Sequence, residues 1–238
     1  MKNPWLEFVN ELNEKNLVLK EEQVIIEKFN QKAAEQFKIR LEIMPAPFMG
    51  NVQTSPIVLL MLNPGYDKEE ELKGYYKEYM PYWKNEIQHI QSIPELPLFC
   101  LDEQYITYSN YWEKKLKPLT SISSREKVAK SISKIQFFPY HSQKFKAISK
   151  KILNQEGYDD YLPSQKYNFH LVKEAMKRDS IIIILRSRKM WFEAIPELKE
   201  YKNLHFTKSY LNTILSENNL SVTFPKIVNV LMNNTNQY

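Results

Sequence analysis

Two apolar stretches decide the fold: IVLLML at residues 57–62 and IIIIL at residues 181–185. Both are continuous rather than alternating and have the length of a strand, so each predicts a strand that is buried on both faces. Such strands are typical of parallel sheets that helices cover on both sides. The first stretch ends at Asn63-Pro64-Gly65, a sequence that favours a turn.

Weaker strand signals complete the pattern at residues 134–138, KIQFF, and 203–207, NLHFT. Helical patterns lie between and after the strands, at residues 67–90, 105–116, 123–131, 163–178, 187–198 and 223–232. Strands that alternate with helices imply right-handed crossovers and a parallel sheet. The sequence therefore predicts an α/β fold with three αβα layers around a four-stranded parallel sheet.

The N-terminal part of the chain predicts two further helices, at residues 3–15 and 19–38, where apolar residues recur at helical spacing. Prolines and a glycine predict a loop at residues 44–51. Because no repeat, linker or shift in composition marks a boundary, we expect a single domain over residues 1–238. Residues 1–40 would form its helical N-terminal extension.

Composition limits the classes of partner and cofactor. The net charge of +5 and the pI of about 9.0 allow a polyanionic partner, DNA or alternatively RNA, although a Lys-rich proteome would give the same charge. One cysteine, Cys100, excludes an internal disulfide, and the four scattered histidines exclude a Cys/His zinc cluster. We expect neither a metal nor an organic cofactor.

Two features of the sequence predict a cytoplasmic protein. The N-terminal sequence MKNPWLEFVNELNEK has acidic residues where a signal peptide would be apolar. No apolar run approaches the ~20 residues that span a bilayer, so we expect no membrane partner.

Ligands of open α/β sheets bind outside the carboxyl ends of the strands, so the residues after each predicted strand are site candidates. They are Asn63, Pro64, Gly65 and Tyr66 after the first strand, Tyr140 and His141 after the second, Arg186, Arg188 and Lys189 after the third, and Lys208, Ser209 and Asn212 after the fourth. The sequence contains no Gly-rich phosphate loop and no nucleophile elbow, which leaves out the motifs of nucleotide-binding enzymes and α/β-hydrolases.

The segment VLLMLNPGY at residues 58–66 resembles the first active-site motif of the uracil-DNA glycosylase superfamily, in particular its Asn-Pro-Gly branches. The segment PAPFMGN at residues 45–51 is also similar to members of this group, which makes Phe48 a candidate for the base pocket. The loop at residues 208–222 stands in the place of the second motif. This resemblance implies a four-stranded parallel sheet between helices.

The resemblance also implies roles for individual residues. Asn63 would match the residue that positions the hydrolytic water below the sugar, and Gly65 would match the small residue beside the flipped base. The same base pocket would be lined by Pro64, Tyr66, Tyr140 and His141. For Tyr66, a half-buried aromatic at the rim is the alternative. An amide is a weak base, so such an asparagine acts by orienting the water.

The chain departs from the family pattern at two places. Uracil-specific members carry an asparagine after the second strand that reads the base edge, whereas this chain has Tyr140 and His141 there. His141 is the candidate replacement donor, and a structural histidine is the alternative. In the second motif the usual histidine is missing, and Ser209 and Asn212 are candidates to contact a phosphate or the base.

Basic residues at the strand ends are candidates to bind a nucleic-acid backbone. They are Arg186, Arg188, Lys189 and Lys208, with Lys114, Lys115 and Lys117 on a predicted helix. Cations at the rim of a crevice neutralise phosphates and make binding fall with salt. A solvated basic face is the alternative for any one of them.

Three functional hypotheses follow. The first is a DNA glycosylase-like hydrolase that extrudes a modified or mismatched base and cuts its N-glycosidic bond. The second is an inactive module of the same fold that binds nucleic acid or a base, which the two departures motivate. The third is a small-molecule hydrolase with a dyad of His141 and Ser142, which is less favoured because adjacent loop residues rarely point at one another.

Overall fold

The structure, a computed structural model, describes residues 1–12, 16–209 and 211–233 of the 238-residue chain. The chain separates into two compact units. The first unit comprises Met1–Phe48, Leu62–Ile90 and Gln136–His170, and the second comprises Met49–Met61, Gln91–Ile135 and Leu171–Tyr238. The prediction of one domain over the whole chain stays a prediction.

The described residues form five strands and a set of mostly short helices. The strands are β1 Phe48–Met49, β2 Ile57–Met61, β3 Ile132–Gln136, β4 Ile181–Ile184 and β5 Leu204–Phe206. The α-helices are α1 Trp5–Asn10, α2 Gln23–Lys32, α3 Lys68–Leu72, α4 Tyr75–Glu78, α5 Met80–Glu86, α6 Glu103–Tyr108, α7 Tyr111–Thr120, α8 Arg125–Ser131, α9 Lys150–Gln155, α10 Pro163–Lys177, α11 Arg188–Ala194, α12 Glu217–Leu220 and α13 Phe224–Asn233. Single 3-10 turns occupy Lys20–Glu22, Glu35–Phe37, Phe99–Leu101 and Pro196–Glu200.

The strands form one sheet in the order β1-β3-β2-β4-β5. Strands β2 and β4 are parallel, with Ile57 opposite Ile181, and β4 and β5 are parallel, with Ile182 opposite Leu204. Every residue of β2 and β4 is buried, as their continuous apolar sequences predict. The indole Nε1 of Trp191 on α11 donates to the Met61 carbonyl at 3.0 Å, which fixes this helix on the end of β2.

The α/β class is confirmed, whereas the prediction of a four-stranded parallel sheet is wrong in detail, because the sheet is mixed and has a fifth strand. The additional strand is β1, which lies in the segment that the prolines predict to be a loop. This strand is only two residues long. A hydrogen bond directly before it, from Gln136 N to the Pro47 carbonyl at 2.8 Å, also connects this segment to β3. Gly50 then turns the chain with a φ of +85°.

Several predicted helices are shorter than the sequence indicates. The prediction over residues 67–90 is divided into α3, α4 and α5, and Gly74 separates the first two with a φ of +80°. The prediction over residues 3–15 is realised as α1, and its last part, residues 13–15, lies outside the described residues. None of the helices in the described part of the chain combines the length and the apolar character needed to cross a membrane.

A buried carboxyl group organises the first unit. Glu22 is 0% exposed, and its two oxygens accept hydrogen bonds from Tyr140 Oη at 2.6 Å, Ser164 N at 2.6 Å and Ser164 Oγ at 2.9 Å. Burial raises the pKa of Glu22 to about 7, although these hydrogen bonds oppose the shift. Glu22 thereby joins the N-terminal residues to the segment after β3 and to the first turn of α10.

Candidate functional site

The Asn-Pro-Gly turn begins two residues after β2 and belongs to the first unit. Phe138 N donates to the Leu62 carbonyl at 2.9 Å, and Gly65 and Ser142 form a parallel β-bridge. Tyr66 N donates to the Ser142 carbonyl at 3.1 Å. The residues that follow β2 therefore lie directly beside the residues that follow β3, and backbone hydrogen bonds hold them together.

The side chain of Asn63 is fixed by its amide nitrogen. Nδ2 donates to the Pro64 carbonyl at 2.9 Å and to Ser142 Oγ at 3.0 Å. An amide nitrogen carries two hydrogens, so both are used and the orientation of the amide is determined. Oδ1 accepts no hydrogen bond from the described residues, and the side chain is half-buried. Asn63 therefore presents an acceptor oxygen in a fixed direction.

Gly65 leaves space beside this amide. The residue is exposed, and a Cβ built on it would meet none of the described atoms within 4 Å. The φ of Gly65 is not in the left-handed region, so the backbone does not require glycine here. A small residue at this position leaves room on the surface of the turn for a ligand.

The buried imidazole of His141 contacts the backbone of the Asn-Pro-Gly turn. Its ring is 3% exposed, and Nδ1 lies 2.8 Å from the Gly65 carbonyl oxygen. Because a carbonyl can only accept, Nδ1 must carry a hydrogen and donate it in this contact. Tyr76 and Trp83 pack against the imidazole, each with its ring centroid 5.4 Å away.

Tyr66 is held by neighbours on its ring and at its hydroxyl. The Arg40 guanidinium lies over the ring at 4.3 Å, and the Tyr76 ring stacks at 5.8 Å with an interplanar angle of 20°. The hydroxyl donates to the Glu71 carboxylate, and this hydrogen bond raises the pKa of the Tyr66 phenol. These contacts hold the Tyr66 side chain in one position.

Arg40 is a residue of this site that sequence reasoning missed. Its backbone N donates to the His141 carbonyl at 3.0 Å, and its guanidinium lies 3.1 Å from Glu35 as well as over Tyr66. Arg40 lies outside the described helices and strands, more than twenty residues before the turn, so no spacing in the sequence could connect it to Asn63.

Phe48 and Tyr140 lie in the interior of the first unit. Phe48 is 1% exposed, and its ring stacks on His89 at 4.9 Å with an interplanar angle of 6°. Tyr140 is 0% exposed, and its hydroxyl donates to Glu22 while it accepts from Leu19 N at 3.2 Å. The hydrogen bonds of Tyr140 and the stacking contact of Phe48 are made with other residues of the protein. The assignment of both residues to a base pocket stays a prediction.

The loop after β5 belongs to the second unit and is organised around Asn219. Asn219 Oδ1 accepts from Ser209 N at 2.9 Å, and Nδ2 donates to the carbonyl of Asn212 at 2.7 Å. Ser209 Oγ accepts from Asn212 N at 3.0 Å. The two predicted loop residues are therefore brought together, and Asn219, which the sequence did not single out, holds them. A lone asparagine in a polar run carries no pattern that would reveal this role.

The predicted basic residues also lie in the second unit, and they differ in the contacts that their side chains make. The Arg188 guanidinium lies 3.6 Å above the Phe206 ring, and Lys189 forms a long ion pair with Glu193 at 3.9 Å. Arg186 and Lys208 are exposed. The second unit therefore carries basic side chains directly after β4 and β5, as the sequence predicts.

Neither a metal cluster nor a known relative assigns a function. Among residues 1–12, 16–209 and 211–233, no group of three or more His, Cys, Asp or Glu residues is arranged to hold a metal ion. Comparisons of the chain with protein-family models, with curated proteins and with solved structures found no match. The resemblance to the uracil-DNA glycosylase superfamily therefore stays a prediction that rests on the residues around Asn63.

Proposed function

We propose that the Asn-Pro-Gly turn is the catalytic site of a DNA glycosylase-like hydrolase, which cuts the N-glycosidic bond of a modified or mismatched base. In this reaction the oxygen of a water bonds to C1′ of the sugar while the bond from C1′ to the base nitrogen breaks. The electron pair of that bond leaves with the base, and the proton lost by the water passes to solvent or to the base. No metal or organic cofactor takes part.

The fixed amide of Asn63 is the observation that carries this proposal. A water that donates one hydrogen bond to Oδ1 has its position and its lone pairs oriented. The hydrogen bonds from Nδ2 to Pro64 and Ser142 prevent the amide from flipping, which would replace the acceptor by a donor. Because an amide does not take up the proton in the transition state, the contribution of Asn63 is orientation rather than general base catalysis.

The surroundings of the turn suit an extruded base. Gly65 leaves open space next to Asn63, and Tyr66 provides an aromatic wall that Arg40 and Glu71 hold in place. A base has to leave the stack before C1′ can be attacked, and a pocket with an aromatic side is a common way to receive it.

One candidate alternative is a module of the same fold that binds a base or a nucleic acid without cleaving it. The arrangement of His141 favours it, because the donor Nδ1 is already bonded to the Gly65 carbonyl and the ring is buried. Exposed Arg186 and Lys208 could still bind a backbone in a salt-dependent manner.

The test is a panel of labelled oligonucleotides, single- and double-stranded, that carry uracil, hypoxanthine or other altered bases. The expected result is release of the free base and formation of an abasic site by the wild type, with cleavage lost in Asn63→Ala. Asn218→Ala, which changes an exposed asparagine on α12, is the matched control and should cleave normally. Cleavage by Asn63→Ala at the wild-type rate would reject the assigned role of Asn63.

The same panel separates the two candidates. Failure to release any base, combined with salt-dependent retention of the oligonucleotides that weakens in Arg186→Ala, would favour the binding module over the hydrolase. Retention that is indifferent to salt would count against the module as well.

A further inference from the structure

Lys115 is a buried cation on α7 in the second unit. The residue is only 7% exposed, although lysine is rarely buried unless it is paired. Its ammonium donates a hydrogen bond to Thr213 Oγ1 and lies 4.5 Å from the centroid of the Tyr111 ring. The backbone supports this contact, because Leu215 N donates to the Lys115 carbonyl at 3.0 Å.

Within the part of the chain that the structure describes, the charge of Lys115 is not compensated by a carboxylate. No Asp or Glu among the described residues lies within ion-pair distance of its ammonium. The charged group that acts on it is Arg186, which has the same sign. Burial and this repulsion lower the pKa of Lys115 to about 8, so the ammonium is still largely protonated at neutral pH.

Such an arrangement costs folding free energy. A buried cation loses its hydration, and a second cation beside it adds repulsion instead of attraction. Glu22 in the first unit shows the usual remedy, since three protein hydrogen bonds satisfy its carboxyl group. Around Lys115 the described residues supply one hydroxyl acceptor and one aromatic face, and the missing component is an anion.

Two further groups bring donors to the same place. Burial raises the pKa of the Tyr111 phenol, while the charge of Arg186 and side-chain hydrogen bonds with Arg186 and Thr213 lower it. The Tyr111 hydroxyl is therefore close to both of these side chains. A lysine ammonium, an arginine guanidinium and two hydroxyl groups converge on one point of the second unit.

We propose that this cluster, Tyr111, Lys115, Arg186 and Thr213, is a binding site for a phosphate group. Phosphate offers several acceptor oxygens around one centre, so it can bind the ammonium as a point charge, the guanidinium through two N–H groups and the hydroxyls together. A nucleic-acid backbone and a free nucleotide can both supply such a group. The site does not include any residue of the Asn63 turn and does not depend on the proposed hydrolase activity.

Thermal unfolding tests the site with inorganic phosphate as the probe. Phosphate should raise the melting temperature of the wild type more than chloride does at the same ionic strength and pH, because a bound anion stabilises the native state. Lys115→Met keeps the aliphatic stem and removes the charge, so it should unfold at the same or a higher temperature than the wild type in chloride and lose the additional effect of phosphate. Lys199→Met, which changes an exposed lysine of the second unit in the 3-10 turn Pro196–Glu200, should keep that effect.

Fluorescence anisotropy then distinguishes the sources of the phosphate. The probes, each carrying the same fluorescent label, are thymidine 5′-monophosphate, a thymidine decanucleotide and the same decanucleotide with an uncharged methylphosphonate backbone. Loss of the Lys115 charge should weaken binding of the phosphate-bearing probe about tenfold, since a charge-assisted hydrogen bond is lost. Thr213→Val, which keeps the side-chain shape, should weaken it in the same direction.

The outcomes are distinct. Binding of the decanucleotide that is lost in its methylphosphonate form assigns the site to a nucleic-acid backbone, and binding of the monophosphate alone assigns it to a free nucleotide. If the wild type shows no phosphate-specific stabilisation and binds neither type of probe, or if Lys115→Met binds as well as Lys199→Met, the proposal is overturned. Loss of base release in Asn63→Ala would not bear on it.

Discussion

At the scale of single residues, the orientation of the Asn63 amide depends on one hydroxyl group. Ser142 is 3% exposed, and its Oγ is one of the two acceptors that fix Asn63 Nδ2. The other acceptor, the Pro64 carbonyl, cannot be removed by a side-chain substitution. Ser142 is therefore a positioning residue, and its effect on the reaction passes through the orientation of Asn63.

Ser142→Ala should lower the rate of base release about fivefold, which corresponds to the loss of one neutral hydrogen bond. We expect the loss in kcat, with KM little changed, because the variant loosens the amide without altering the space beside Gly65. Steady-state kinetics on the preferred oligonucleotide provide the measurement. A variant that changes KM alone would show that Ser142 contributes to binding instead.

Lys115 leads to a prediction about pH. Its pKa of about 8 means that the ammonium loses its proton as the pH rises through that value. A phosphodiester keeps one negative charge over this range, so binding of the decanucleotide should weaken above pH 8 as the cation disappears. Tyr111 stays protonated over this range, because burial raises the pKa of its phenol. Anisotropy titrations at pH 7 and pH 9 on wild type and Lys115→Met measure the effect, which should be absent in the variant.

The sequence singled out Asn63 and the basic residues as site candidates, but it could not predict which residues they contact. Asn63 followed from an apolar strand that stops at a turn, which is a local signal. Ser142 and Arg40 contact the same turn only because the chain after β2 pairs with the chain after β3. Pairing of this kind depends on tertiary structure, and no local periodicity encodes it.

At the scale of elements, the turn after β1 depends on Gly50. Its φ of +85° is unfavourable for any residue with a side chain, and a Cβ would lie 2.8 Å from the Ile132 carbonyl oxygen of β3. Gly74, between α3 and α4, has a similar φ of +80° but has open space around it. Substitutions at these two glycines can therefore distinguish the cost of backbone strain from the cost of steric collision.

Gly50→Ala should lower the free energy of unfolding by about 2–4 kcal/mol, because it combines the strained φ with a contact against rigid backbone. Gly74→Ala should cost about 1 kcal/mol, which is the strained φ alone. Urea unfolding of both variants and the wild type gives the comparison. Equal losses in the two variants would show that the contact with β3 is relieved at no cost.

The strands differ in how well the sequence predicts them. β2 and β4 are apolar throughout, so burial on both faces leaves an unmistakable pattern. β3 begins and ends two residues earlier than predicted, and the residues added at its start are Ile132 and Ser133. Ser133 and Lys134 are both buried in spite of their polarity. The ammonium of Lys134 lies 4.6 Å from the Trp112 ring, and such an interaction cannot be read from hydropathy.

At the scale of the whole molecule, Glu22 links protonation to stability. Its pKa is about 7 in the folded protein, against an ordinary value of 4.5. Between these two pH values the native state holds the proton while the unfolded chain releases it. The stabilising contribution is therefore complete below pH 4.5 and is lost as the pH rises to 7.

We expect this group to lower the free energy of unfolding by about 3 kcal/mol between pH 4.5 and pH 7. Glu22→Gln cannot ionise and can still accept from Ser164 N, so the dependence of its stability on pH should be flatter by that amount. Urea unfolding at several pH values provides the measurement, with the exposed neighbour Glu21→Gln as the matched control. A Glu22→Gln variant that follows the wild-type curve would show that Glu22 ionises normally.

The central claim is that Asn63 orients the water that attacks the sugar. The most direct measurement is the single-turnover rate of base release by wild type, Asn63→Ala and Asn218→Ala on the oligonucleotide that the wild type cleaves fastest. The account predicts a rate about 100-fold lower in Asn63→Ala, with normal cleavage by the control and unchanged melting temperatures. A folded Asn63→Ala variant that releases the base as fast as the wild type would contradict it.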